Sequence, residues 1–364
     1  MRLTIILFMI LLVLTSVCAA VEITERQANA LPLDQVENAL PDRARELVGG
    51  ISPTSPPSFT ESAGRILRDA VRHLGDFAIS GARTCACMLL IVLLCCVVRT
   101  GSDAGASRAA LVAGSAAICL CFIGNMRSMA SLGSMLIDSY ATFTEALFPV
   151  LSAAAAASGA TSSSAAIYAV AVFFFQLLIR AIRLLLLPLL YAYLALSVAD
   201  AALSERRLTG WKTLIGGLIK GTLRVLVFAF VAFLSVTGVT SGSVDALSLK
   251  AAKLTISSTV PMVGSMVSDA SESVLTSAAL LKNSIGAFGM LSVLAIGAIP
   301  LLQIAVQYLQ LRITEAVCGV FGEKPLCGLV SDTASVMGYL FAMCCVCALL
   351  VFLSCICFMR GFVP

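Results

Sequence analysis

Residues Ala334 to Met359 read ASVMGYLFAMCCVCALLVFLSCICFM, a run without one charged side chain. A helix needs about 20 such residues to cross a bilayer's hydrocarbon core, so this stretch predicts a transmembrane helix. The rest of the chain agrees. Of its 364 residues, 59% are hydrophobic and 12% are charged, with a mean hydropathy of +1.01; a soluble globular domain carries roughly 25% charged residues. The expected fold is all-α, a polytopic transmembrane helical protein.

Further apolar spans read as Thr84 to Val98, Ala109 to Met126, a compound region from Ala146 to Ala199, Val225 to Val239, and Ser284 to Tyr308. Several are short for a crossing, which implies local thinning, snorkelling flanks or tight helix packing. The compound region is interrupted by SGATSSS and by Arg180 and Arg183, with Pro188 beyond. One kinked span with a re-entrant piece and three short spans both fit it, giving about six to eight spans in all. Arg180 and Arg183 are candidate intramembrane charges, because ionisable groups at that depth tend to mark polar paths.

The N-terminal MRLTIILFMILLVLTSVCAA has one basic residue, an apolar run and small residues before Val21. That is the pattern of a signal peptide over residues 1–20, with an uncleaved anchor as the alternative. Residues 21–83 form the most polar part. There LDQVENALPDRARELVGG and SFTESAGRILRDAVRHLGDF read as two amphipathic helices around the breaker SPTSPPS. This segment is too small to hold a large core, so it is expected to rest on the membrane or on a partner. His73, the only histidine, reads as a solvated surface residue. Residues 84–364 make up the polytopic membrane domain.

Most of the fourteen cysteines lie inside apolar runs, where a thiol behaves as a small hydrophobe. Residues two apart on a helix point about 200° apart, so a CxC pair does not converge on one metal. Cys318 and Cys327 flank GVFGEKPL and leave a bridge open. Net charge is +4. Basic residues gather at the edges of apolar segments, with no stripe interleaved with aromatics, so there is no case for nucleic-acid binding. The strongest cluster, SERRLTGWKTLIGGLIKGTLR, holds Arg206, Arg207, Lys212, Lys220 and Arg224. It reads as an interfacial helix on the cytoplasmic side if an odd number of spans precedes it.

The stretch from Lys250 to Gly286 then falls outside. From Met262 to Lys282 apolar residues recur at helical spacing, while Ser265, Asp269, Glu272 and Thr276 recur at i, i+4, i+7 and i+11 on the opposite face. Pro261 suits the first turn. An amphipathic loop helix over 261–283 is predicted. Its acidic, hydroxyl-rich face is either a solvated cover, or it lines a vestibule or docks a partner. Nothing supplies a Ser with a His or Lys base, paired intramembrane Asp residues, a zinc site or a P-loop, so the reading is no enzyme and no cofactor.

The segment SVDALSLKAAKLTISSTVPMVGSMVSDASESVLTSAALLKNSIG, followed by an apolar span, GEKPL and a last apolar span, resembles the stage III sporulation protein AE family of endospore-forming bacteria. The resemblance is close from about Leu203 onward. Pro261, Gly264, Asp269, Lys282, Asn283 and Gly286 are among the residues that carry it most specifically. It implies a multi-pass protein of the mother-cell membrane around the forespore. It also implies a permease-like or scaffold part of the stage III sporulation A channel, a secretion-like apparatus or feeding tube needed after engulfment. The implied partners are the other stage III sporulation A complex proteins, forespore protein Q through them, and membrane lipid. An autonomous secondary transporter of a small solute is the alternative, and an interaction hub without a transport path is a third class.

Overall fold

The computed structural model of the chain describes residues 31–48, 59–100, 104–158, 161–202, 208–233, 264–321 and 324–360. The expected signal peptide, Cys18 and Pro261 lie outside the described residues. Every described element is helical. They are α1 (Leu33–Asn38), α2 (Asp42–Val48), α3 (Phe59–Arg72), α4 (Leu74–Thr100), α5 (Ala104–Ala157), α6 (Thr161–Ala181), a π-turn (Ile182–Leu186), α7 (Leu187–Ala202), α8 (Thr209–Phe233), α9 (Gly264–Phe321) and α10 (Lys324–Arg360).

Among the described residues six stretches are long and apolar enough to cross a membrane: Phe59–Thr100, Gly105–Ala157, Ala165–Ala202, Thr209–Phe233, Ser277–Val320 and Lys324–Met359. The chain is a multi-pass membrane protein. The compound region is simpler than either sequence reading. α5 runs through Pro149 to Ala157, and α6, the π-turn and α7 then form one unbroken helical stretch. Arg183 sits in the π-turn itself. The segment expected as an interfacial helix before a span is likewise continuous with that span, as α8.

Helices α9 and α10 form the central pair, with α4 and α5 against them and α6 to α7 outside α5 and α10. Close approaches fix the register. The Tyr140 hydroxyl of α5 donates to the Val293 carbonyl of α9 at 3.1 Å, and a Cβ on Gly297 would collide with that same hydroxyl. Gly133 faces Leu340 and Cys344, while Gly289 faces Leu147 and Cys355. α5 therefore runs antiparallel to α9 and parallel to α10. The junctions α4/α5, α7/α8 and α9/α10 gather at one end of the bundle, where Gly114 approaches Cys95 and Leu326. The opposite end holds Phe148 against Phe358.

At about 1.5 Å per residue, α5 and α9 are roughly 80 and 85 Å long, more than twice a hydrocarbon core. Part of each must lie beyond the apolar layer. The N-terminal helices cover part of these long helices: α2 and α3 pack on α9, α1 packs on α5, and Val36, Leu40, Ala44, Val48 and Ile66 join the common core, with Ile66 and Leu67 of α3 beside Tyr140, Gly297 and Leu349 in the middle of the apolar stretches. The polar segment thus rests on the chain's own long helices. His73 is only partly exposed; its ring touches Arg43 of α2 and lies 3.8 Å from Asp76.

Candidate functional site

The bundle carries two charged regions of opposite character. The first lies on the outer face of α5 and α6. Along α5, Arg127, Ser131, Ser134, Asp138, Thr142 and Glu145 recur at steps of three and four residues, which stacks them on one helical face over about 27 Å. All are exposed except Ser134, which is half-buried. Across the α5–α6 contact, Gln176, Arg180 and Arg183 form a matching exposed row. The Arg183 guanidinium pairs with the Asp138 carboxylate, and both side chains remain about half exposed. No described residue pairs with Arg180 or Glu145.

Both helices otherwise read as membrane-crossing. A charge against hydrocarbon costs about 2.5 to 3.5 kcal/mol on insertion scales, and intramembrane charges face bundle interiors or water-filled cavities rather than lipid. This row points out of the monomer. It is stable against water, headgroups or another protein, and unstable against acyl chains.

The second region is buried. Lys212, in the first turn of α8, places its ammonium 2.8 Å from Asp200 of α7 and 2.7 Å from Asp332 of α10. Tyr193, two turns before Asp200, donates its hydroxyl to Asp332 at 3.1 Å. Asp200 also accepts from the Leu208 backbone N–H at 2.9 Å and from the Thr209 hydroxyl at 3.4 Å. A carboxylate at a helix start meets unpaired N–H groups and the positive end of the helix dipole, so Asp200 caps α8 from a neighbouring helix. Every charge in the cluster has a partner of opposite sign.

Of the residues singled out in the sequence, Arg180 and Arg183 belong to the outer face. Lys282 is buried, at 2% exposure, whereas Asn283 is exposed. Gly286 faces Met359 so closely that a Cβ would collide with that side chain. Gly264, Ser265, Asp269, Glu272 and Thr276 lie on the first turns of α9; their side chains are outside the described residues. The helix they occupy continues unbroken to Phe321.

Sequence reasoning missed Asp138, Glu145, Asp200 and Asp332. Asp138 and Glu145 carried a legible signal, the seven-residue repeat with Ser131 and its neighbours. Asp200 and Asp332 each end an apolar run, and only the packing shows that they meet. Two CxC motifs also meet across helices, with Cys87 and Cys121 sulfurs 3.1 Å apart. The Cys327 thiol donates to the Cys318 carbonyl at 3.0 Å, and neither cysteine is part of a disulfide.

Comparison with known proteins gives two matches. The family model for stage III sporulation protein AE matches residues 58–361. Stage III sporulation protein AE of Bacillus subtilis (strain 168) is 25% identical over 170 residues, covering 47% of this chain and 43% of that protein. The match thus spans less than half the length of the curated relative. No solved structure matches the chain.

Proposed function

The chain belongs to the stage III sporulation protein AE family, whose model covers most of its length, and from that premise we propose that it is a membrane component of the stage III sporulation A channel between mother cell and forespore. It acts in the mother-cell membrane after engulfment, as a permease-like or scaffold subunit without catalysis of its own. Its partners are the other stage III sporulation A proteins and, through them, forespore protein Q. The observation that carries this reading is the outward charged row of α5 and α6. A protein that worked alone in lipid would turn those charges inward, whereas a subunit of a larger assembly meets a partner or a shared aqueous path there.

Orientation is inferred separately, from the basic cluster. With the N-terminus outside, as a cleaved signal peptide would leave it, the three candidate spans that precede the basic cluster around Arg206 and Lys212 among the described residues are an odd number, and we infer that this end of the bundle is cytoplasmic. The first turns of α9 then lie outside, and on this reading Ser265, Asp269, Glu272 and Thr276 meet a partner there.

Deleting the gene in its native host tests the proposal. Sporulation should stop after engulfment and resume with the wild-type copy, but not with Arg180→Gln combined with Arg183→Gln inserted at normal abundance. The purified protein alone in proteoliposomes should accumulate no solute. Normal spore yield from the deletion would sink the channel reading, and solute accumulation by the isolated protein would favour an autonomous transporter.

A further inference from the structure

Helix α8 borders two recesses that meet at Gly217. One is polar, about 480 Å³, set between α8, α7 and α10, with Thr213, Lys220, Ser331, Ser335 and Tyr339 on its wall beside the Lys212–Asp332 pair. The other is an apolar groove of about 660 Å³ between α8 and α6, walled by Phe174, Leu177, Leu214, Leu218 and Val225. Gly217 lines both, and a Cβ placed on it would meet nothing within 4 Å. At Gly217, on the outer face of α8, no side chain stands between the polar recess on one flank of the helix and the apolar groove on the other.

The charge at this junction is unbalanced. Lys220 lies 5.4 Å from the centre of the Tyr339 ring, an aromatic contact that leaves its charge uncompensated, and Arg224 is exposed one turn further on. Neither pairs with a carboxylate among the described residues. Both lie on the Gly217 side of α8, three and seven residues beyond it, and side chains on a helix lean toward its N-terminus. Here that is the end carrying the basic cluster. On the wall, Asp332 is held by Lys212 and Tyr193; because Lys212 also pairs with Asp200, that cluster carries one net negative charge against the two positive charges of Lys220 and Arg224, which leaves a positive excess.

A ligand that satisfies both recesses has a negatively charged, hydrogen-bonding head joined to a hydrocarbon tail. We propose that this paired recess is a binding site for an anionic phospholipid, with its phosphate near Lys220 and Arg224 and one acyl chain along the α6–α8 groove. Basic pockets between transmembrane helices on the cytoplasmic side suit such headgroups. A transmembrane helix approaching over Gly217 and Gly221 would fill the groove but would leave the two cations unmatched. The lipid site does not depend on the channel reading.

Native mass spectrometry of the delipidated full-length protein, titrated with phosphatidylglycerol or phosphatidylcholine, tests it. Phosphatidylglycerol should be retained and phosphatidylcholine should not, and inorganic phosphate alone should not compete. Lys220→Gln with Arg224→Gln should weaken retention roughly thirtyfold, on the scale of two basic contacts to an anionic headgroup. Gly217→Leu should abolish retention by filling the junction. That variant meets open space and replaces a poor helix former with a good one, so its melting temperature without lipid should not fall. Equal retention of the two lipids, or undiminished phosphatidylglycerol binding by Gly217→Leu, would overturn the proposal. So would a self-associated species that Gly217→Leu abolishes while phosphatidylglycerol binding persists, since the groove would then belong to a helix.

Discussion

The Asp200–Lys212–Asp332 cluster and the Arg127–Glu145 row have similar ingredients and opposite placement. In the cluster, two carboxylates, one ammonium, a phenol and a helix start satisfy one another inside the bundle. On the row, one ion pair forms at the surface and the remaining charges point away from the protein. Buried charges that complete each other serve the fold, because they join α7, α8 and α10 at a single point. Outward charges on apolar helices do nothing for the isolated fold. Their use lies in what covers them.

The largest effect expected on stability comes from breaking the cluster. Lys212→Met leaves two carboxylates facing each other without a counter-charge, and removing one partner of a buried ion pair costs about 3 to 5 kcal/mol. Thermal denaturation in detergent should show a large fall in melting temperature, and Asp200→Asn with Asp332→Asn added to the same chain should recover part of it. Failure of that rescue would mean that the three groups do not act as one network.

A smaller loss is expected at the α5–α9 contact. Gly297→Ala forces the Tyr140 hydroxyl from the Val293 carbonyl, a buried hydrogen bond whose loss costs about 1 to 3 kcal/mol. The same denaturation assay reads it, and Tyr140→Phe in the Gly297→Ala background should then cost little more. An additive loss would show that the glycine acts elsewhere.

On the outer row, the expected stability effects are smallest and the functional effects are not. Arg180→Gln with Arg183→Gln should change stability by less than about 1 kcal/mol, as for exposed ion pairs, yet block sporulation after engulfment. Asp138→Asn alone removes the surface pair and should be the mildest change in the denaturation assay. A collapse in abundance from either variant would erase the distinction between the two regions, since the row would then be holding the fold.

The helical membrane fold was legible because composition and run length decide it: the Ala334–Met359 run alone demands a spanning helix. Helix ends were harder. Arg180, Arg183 and Pro188 look like breaks in a list of residues, but a helix absorbs charges that point outward, and the π-turn keeps the chain helical through Arg183. Asp200 and Asp332 are 132 positions apart by their numbers and meet only through Lys212, a contact that no local pattern encodes. The outer row was half legible. Its arginines stood out against apolar neighbours, while Asp138 and Glu145 sit in a stretch rich in Ser and Thr that reads as a pause between spans.

Photocrosslinking from the outer row during engulfment identifies what covers its charges. A photoreactive amino acid at Thr142, on the row, is compared with one at Leu94, an apolar α4 position that is 67% exposed. Thr142 should form adducts with another stage III sporulation A protein, and Leu94 should form none. Free lipid as the sole adduct at Thr142, in cells that sporulate normally, would contradict a partner on this row.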